Sequence, residues 1–318
     1  MNKLVLFADK PHPILEERLT AAGFVCRQFN GSTLDELEAI IADYVGIIVR
    51  SRTKITSATL DKARQLKFIG RLGSGMENID VAYAEQKGIA CLSSPEGNCN
   101  AVGEHALGML LTLINHIHTS DREVRNGIWQ REANRGLELQ GKTIGIIGFG
   151  HTGPAFARCL SGLGMKILVY DKYKSGFGVN YINECSMDRI FAEADIVSLH
   201  VPLTSETHYL LNDKFLDNFK KNVFVINTSR GEVLETAALA RALKSGKVTG
   251  AALDVIEYEN LLAESFDNSK TDESFHYLAS LPNVVLTPHI AGVTKESYFK
   301  LADVLADKIL DLFGGFDI

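Results

Sequence analysis

An arginine, a group of carboxylates and a histidine follow separate apolar runs in the second half of this 318-residue chain. "INTSRGEV" places Arg230 after one run, "ALDVIEYEN" places Asp254, Glu257 and Glu259 after another, and "LTPHIAG" places His289 after a third. A guanidinium grips a carboxylate through parallel hydrogen bonds. An imidazole can give or take a proton near neutral pH, and a carboxylate beside it holds the ring in place. Taken singly, each residue has a plainer reading: a loop charge, solvated acids, a packed histidine. Their shared position after strands argues for one site, because ligands of open α/β sheets sit outside the carboxyl ends of the strands. Composition alone leaves open which acid serves His289.

A second group lies upstream. "TIGIIGFGHTGPAFARCL" carries Gly148, Gly150 and Gly153 between an apolar run and a helical pattern. In such a fingerprint the first glycine makes the tight turn, the second lets backbone approach a pyrophosphate, and the third lets helix and strand pack closely. The helix N-terminus adds free N–H groups and partial positive charge. Pro154 suits the first turn of that helix. Asp171 ends the next run, "KILVYD", eighteen residues on (171 − 153), where an acid meets the adenosine ribose hydroxyls. A carboxylate there repels a 2′-phosphate, so the expected cofactor is NAD, not NADP.

These residues need strands to hold them. "KLVLFA", "VGIIVR", "KFIGRL", "TIGIIG", "KILVYD", "DIVSLH", "VFVINT", "TGAALD" and "NVVLTP" read as buried parallel strands. Helical patterns such as "HPILEERLTAAG" and "ETAALARALKSG" alternate with them. The alternation predicts an α/β fold with parallel sheets, and the strand count predicts two domains. The first series ends near Ser93, "SSPEGNCN" is a turn-rich break, and "AVGEHALGMLLTLINHIH" reads as one long helix. The expected division is residues 1–98, with 293–318 returning to them, and 99–292. The amphipathic last helix, "KESYFKLADVLADKILDLF", can pack on either domain, and a return to the first is preferred. Residues 257–273 read as an exposed, acidic loop insertion.

Composition excludes other classes. Net charge is −6, and no basic patch with interleaved aromatics suggests nucleic acid. No apolar run approaches the ~20 residues that span a bilayer, and "MNKLVLFADKPHP" reads as a first strand, not a signal peptide. Five cysteines without CxxC spacing, and no His/Cys cluster, predict reduced thiols in a cytoplasmic protein without a metal site.

The chain resembles the D-isomer-specific 2-hydroxyacid dehydrogenases over essentially its whole length. The resemblance rests on "GRLGSGMENID", "NAVGEHALGMLL", "LQGKTIGIIGFGHTG", "LHVPLTSETHYLLN", "INTSRGEVLETAALARAL", "GAALDVIEYE" and "LTPHIAG" in order. It implies a central Rossmann-type, doubly wound domain, a flavodoxin-like substrate domain from both chain ends, and a homodimer through the central domains. By motif, Arg230 would bind the substrate carboxylate and keto oxygen, His289 would be the general acid and base, and Glu259, five residues past Asp254, would pair with it. Asn260 stands where the family usually has proline. Asp254 would hold the nicotinamide amide. His151, Thr152, Val201, Pro202, Thr228 and Gly292 would complete the cofactor contacts, with Thr152 replacing the usual Ile or Val. Ser74 and Gly75 would offer backbone donors to the substrate carboxylate.

Arg50 and Arg71, with Arg52 nearby, lie at or beside strand ends in "IIVRSRTKIT" and "IGRLGSG". More arginines than one carboxylate needs suggest a second anion, and the expected one is phosphate. Both stretches resemble D-3-phosphoglycerate dehydrogenases, which oxidise 3-phospho-D-glycerate to 3-phosphohydroxypyruvate at the start of serine biosynthesis. The family's C-terminal serine-binding domain is not expected here. Glycerate or hydroxypyruvate, lactate and 4-phosphoerythronate are the alternative substrates. A non-enzymatic, NAD-sensing corepressor is the alternative of another class.

Overall fold

The computed structural model describes residues 3–260 and 265–313. Five strands form the first sheet: β1 (Leu4–Phe7), β2 (Val25–Gln28), β3 (Gly46–Val49), β4 (Phe68–Arg71) and β5 (Ala90–Ser93). All pair in parallel, in the order β2-β1-β3-β4-β5, which is the flavodoxin-like order. β3 shows why the chain extends here. Ile47 and Val49 face one core with Leu37 and Leu60, while Ile48 faces the other with Phe7 and Phe68. A strand covered on both faces has no polar position, so the run is continuously apolar.

The helix Lys295–Phe313 packs on this sheet. Ala302, Leu305, Ala306 and Ile309 are fully buried against Val5, Phe7, Leu15 and Phe68. Arg18 fastens it through Asp303 (2.7 Å) and Asp307 (2.6 Å). One compact unit therefore joins residues up to Asn98 with the segment from Val293, and takes in Asn260 and Ser265. Residues 1–2 and 314–318 of the expected substrate domain, and 261–264 of the expected loop insertion, lie outside the described residues.

The second unit runs from Cys99 to Glu259 and from Phe266 to Gly292. Its sheet contains β6 (Thr143–Ile147), β7 (Lys166–Tyr170), β8 (Ile182–Glu184), β9 (Ile196–Leu199), β10 (Val223–Asn227) and β11 (Val248–Leu253). After the two-residue strands β12 (Glu259–Asn260) and β13 (Ser265–Phe266), β14 (Val284–Leu286) completes it. The order is β14-β11-β10-β9-β6-β7-β8, all parallel. Counted from β6 this is the doubly wound Rossmann order with a seventh strand beyond the sixth. The order reverses between β6 and β9, so the switch point falls beside the glycine loop.

Three expectations need correction. The long helix is two, Cys99–Ile114 and Ile117–Arg125. His116 turns left-handed (φ 53°) between them, and the Ile114 carbonyl accepts the Leu137 N–H at 3.1 Å instead of continuing the helix. Residues 257–273 are not simply an exposed loop: the Tyr258 ring packs on Phe275 (centroids 5.4 Å), and its hydroxyl donates to Asp272 (3.0 Å). The strands β2, β5 and β8 were absent from the expected set. All three are sheet edges. All five cysteines are free, and no described helix is long and apolar enough to cross a membrane.

Candidate active site

The glycine loop leaves β6 at the switch point. Gly148 sits at φ +96°, and a Cβ there would lie 2.4 Å from the His200 carbonyl oxygen, which follows β9. A Cβ on Gly153 would lie 2.2 Å from the Gly148 oxygen. Both glycines are therefore demanded by the protein's own backbone. Gly150 differs: a Cβ there meets no atom within 4 Å. Nothing in the protein requires a glycine at this point, which leaves room for a pyrophosphate to approach the backbone. His151 is exposed at the N-cap of the helix Thr152–Leu160, beside free N–H groups.

Asp171 closes the loop from the next strand. One carboxylate oxygen accepts the Phe149 N–H (2.7 Å), and the other accepts those of Tyr173 (2.9 Å) and Lys174 (3.0 Å). Burial opposes the charge, but the three donors and the Lys174 ammonium outweigh it and hold the carboxyl below its ordinary range. An anion therefore stands where the fingerprint wants one. Thr228, after β10, is buried with its hydroxyl unpartnered, a polar group available to a ligand. An open Gly150, a charged Asp171 and an orphaned Thr228 hydroxyl fit a dinucleotide.

His200 is buried. Burial pushes its pKa down to about 3, so the ring is neutral. It links Ser198 (2.9 Å from Nε2) to the Thr152 hydroxyl (3.1 Å from Nδ1). The residue that departs from the family pattern thus has its hydroxyl satisfied from below. Val201 lies against the glycine loop, and Pro202 follows it at the surface.

The three chemical stretches end adjacent strands β10, β11 and β14. Asn227 donates to the Arg230 carbonyl (2.9 Å) and accepts the Asp254 N–H on its own carbonyl (3.0 Å). The Asp254 carbonyl accepts the His289 N–H (2.8 Å). Arg230 donates to the Ser229 carbonyl (2.6 Å). A Cβ on Gly231 would strike the Ile256 carbonyl carbon at 2.1 Å, so the arginine loop is pressed onto the loop carrying the acids.

The structure separates those acids. Glu257 accepts the Thr236 N–H (2.5 Å) at the start of the helix Thr236–Ser245, and it also binds the Tyr209 hydroxyl, whose pKa this hydrogen bond and burial raise to about 12. Glu259 faces His289: one oxygen lies 2.5 Å from Nδ1, and the other accepts the Ile256 N–H (2.5 Å). An ionised carboxylate only accepts, so Nδ1 carries the proton and Nε2 is left for a reacting group. Glu259 is 17% exposed and His289 37%.

His289 is left-handed (φ 54°), which costs on the order of 1 kcal/mol for a residue with a Cβ. Asp254, 1% exposed, holds it there. Its carboxylate accepts the N–H groups of Ile290 and Ala291 (both 2.9 Å) and the Thr287 hydroxyl (2.6 Å). Its pKa lies below the ordinary range: burial opposes the charge, but hydrogen bonds from His105, Thr287, Ala291 and Ile290 prevail. Gly292 follows directly. His105 and Thr287 lie inside the stretches "NAVGEHALGMLL" and "LTPHIAG", but the sequence reading gives neither a role.

In the first unit, Arg50 and Arg71 flank the ends of the paired strands β3 and β4. The Arg50 N–H donates to Asp9 (2.7 Å), and its guanidinium lies 5.9 Å from the Tyr298 ring centre. Asn78 ties the Arg50 and Thr53 carbonyls (2.7 and 2.6 Å) to the "SGMENID" loop. The Arg71 guanidinium folds over Gly73, where a Cβ would lie 1.4 Å from Nη1. Ser74 donates to Asn98 (2.9 Å), and Gly75 is half-buried. Asp9 and Asn78 thus fix the backbone at Arg50; the sequence reading gives neither a role.

The NAD-binding domain model of the D-isomer-specific 2-hydroxyacid dehydrogenases matches residues 107–291. A hydroxypyruvate reductase of Thermotoga maritima is 39% identical over 282 residues, 88% of each chain. A D-3-phosphoglycerate dehydrogenase of Archaeoglobus fulgidus is 37% identical over 293 residues, 91% of this chain and 53% of the relative. The present chain thus spans about half of that relative's length. Among solved structures, a D-lactate dehydrogenase of Aquifex aeolicus complexed with NAD and lactic acid superposes with a TM-score of 0.82 at 31% identity, covering 98% of this chain and 96% of the other.

Proposed function

The chain belongs to the D-isomer-specific 2-hydroxyacid dehydrogenase family and is an NAD-dependent oxidoreductase, and from that premise we propose that it oxidises 3-phospho-D-glycerate to 3-phosphohydroxypyruvate in the cytoplasm. The observation that carries the substrate choice is the placing of Arg50 and Arg71 at the ends of neighbouring strands, beside the Ser74–Gly75 loop. In this reading the two arginines take the phosphate, and the Ser74 and Gly75 backbone takes the carboxylate.

Bound NAD supplies the hydride acceptor. Gly148, Gly150, His151, Thr152 and Gly153 would take its pyrophosphate, Asp171 its ribose, Val201 and Pro202 its adenine side, and Thr228, Asp254 and Gly292 the remaining contacts. Arg230 binds the substrate carboxylate and the oxygen that becomes a carbonyl. His289 Nε2 takes the hydroxyl proton as the C–H bond breaks, and returns it in reduction. Glu259 keeps Nδ1 protonated and stabilises the imidazolium formed.

A second reading is reduction of hydroxypyruvate. It is favoured by the Thermotoga relative, which bears that activity in its name and matches across 88% of both chains. The two readings share carbon skeleton and machinery and differ in the phosphate and in the direction of hydride transfer. Steady-state rates with 3-phosphoglycerate, glycerate, lactate and 4-phosphoerythronate, and with hydroxypyruvate in reverse, test the proposal. A higher kcat/KM for glycerate than for 3-phosphoglycerate overturns it, and no turnover of any acid returns the corepressor reading. A homodimer belongs to the same proposal. Ile117, Val124, Ile128 and Leu137 are exposed, with Trp129 76% exposed among them, an apolar segment suited to a second copy.

A further inference from the structure

We propose that His105 is a positioning residue that holds the Thr287–Ala291 loop, and thereby His289, through the Thr287 hydroxyl and the Asp254 carboxylate. The proposal rests on the reading of His289 as the proton-transfer group. Within the second unit, His105 lies on the helix Cys99–Ile114. Its Nε2 is 3.1 Å from Thr287 Oγ1 and 3.5 Å from Asp254 Oδ1.

The hydrogen-bond directions follow from the donor inventory. An ionised carboxylate only accepts, so the Thr287 hydroxyl gives its one proton to Asp254 Oδ1. That oxygen can then meet His105 only as an acceptor, and the ring must donate from Nε2. His105 therefore supplies the last donor of a closed set around a buried anion: Thr287, Ile290, Ala291 and His105 itself. Of the other titratable groups on these loops, His289 and Glu259 pair with each other, Glu257 with the Thr236 amide and the Tyr209 hydroxyl, and Tyr258 with Asp272.

The left-handed turn at His289 persists only while its surroundings impose it. The amides of Thr287, His289, Ile290 and Ala291 are all spent on the Leu253 carbonyl, the Asp254 carbonyl or the Asp254 carboxylate. Removing the His105 donor leaves the half-buried Thr287 hydroxyl and the buried Asp254 carboxylate each short of one donor. The relief available is movement of this loop.

The test compares His105→Leu, which has no donor, with His105→Gln, whose amide can donate from a similar place. Thr287→Val is a second route to the same loss. Hydrogen exchange of the peptide covering Thr287–Ala291 reads the loop without any substrate. Turnover, with the most active acid of the panel above, reads His289. His105→Leu and Thr287→Val should each speed exchange in that peptide about tenfold, with β6 unchanged. Each should lower kcat about tenfold or more, with KM for NAD within about twofold. His105→Gln should restore both. Unchanged loop exchange in both His105→Leu and Thr287→Val overturns the proposal, as does a loosened loop with unaltered kcat. If no acid turns over in the wild type, the proposed function falls, while the exchange readout still decides whether His105 holds the loop.

Discussion

Gly150→Ala should separate cofactor binding from folding. A Cβ at Gly150 meets no protein atom within 4 Å, whereas one at Gly153 comes within 2.2 Å of the Gly148 oxygen. The unliganded protein should therefore accept alanine at 150, with a stability change of about 1 kcal/mol or less, because fewer unfolded conformations offset any local adjustment. That is a shift in Tm of roughly 2–4 °C. Alanine at 153 forces helix and strand apart and should cost about 1–3 kcal/mol. For NAD the order reverses in cause. The methyl group at 150 occupies the space through which the pyrophosphate meets the backbone, so Kd should rise at least about tenfold, or ~1.4 kcal/mol. Calorimetric titration of NAD and thermal unfolding of each variant, with and without NAD, measure the two effects separately. Wild type should gain Tm with added NAD, and Gly150→Ala should gain much less at the same concentration. A folded Gly150→Ala protein that binds NAD as tightly as wild type would refute the assignment of this loop to the pyrophosphate.

Asp171 should make kcat/KM for NAD at least about tenfold higher than for NADP, from ~1.4 kcal/mol of repulsion toward a 2′-phosphate; equal use of both cofactors would remove the basis for that role. Arg50→Ala and Arg71→Ala should each weaken 3-phosphoglycerate by about 2–5 kcal/mol and glycerate far less, and parallel losses in kcat/KM would show that neither arginine reads phosphate. His200 gives a pH-dependent stability. Its folded pKa of about 3 lies below the ordinary value near 6.5, so the unfolded chain binds the proton first as pH falls. Stability from this group is complete above about pH 6.5 and declines toward pH 3, by about 2 kcal/mol between pH 7 and 5. Urea unfolding at those two pH values should show His200→Gln losing less stability than wild type; an equal loss would mean the ring is charged in the fold.

What the sequence determined by itself are the features whose cause is local or whose burial is complete. The central strands are covered on both faces, so nearly every residue in "TIGII" or "GIIV" must be apolar. The glycine fingerprint is legible because a turn, a helix start and a following acid all lie within one strand–helix–strand segment. Three of the four edge strands of the two large sheets escape the sequence because an edge keeps one side open: "VCRQ", "ACLS" and "INE" mix polar with apolar residues and carry no run, whereas the fourth edge, β14, keeps the apolar run "VVL". An amphipathic last helix announces a buried stripe but not its partner, and only the packing of Leu305 and Ile309 onto the first sheet decides that. Glu257 and Glu259 share composition and loop, and both could serve a histidine. Tertiary structure turns one to the Thr236 amide and the other to His289, because the choice depends on which group each carboxylate meets from a distant strand. His105 is 149 residues from Asp254 (254 − 105), so its part in holding the His289 loop arises only when the helix and the strand ends are brought together.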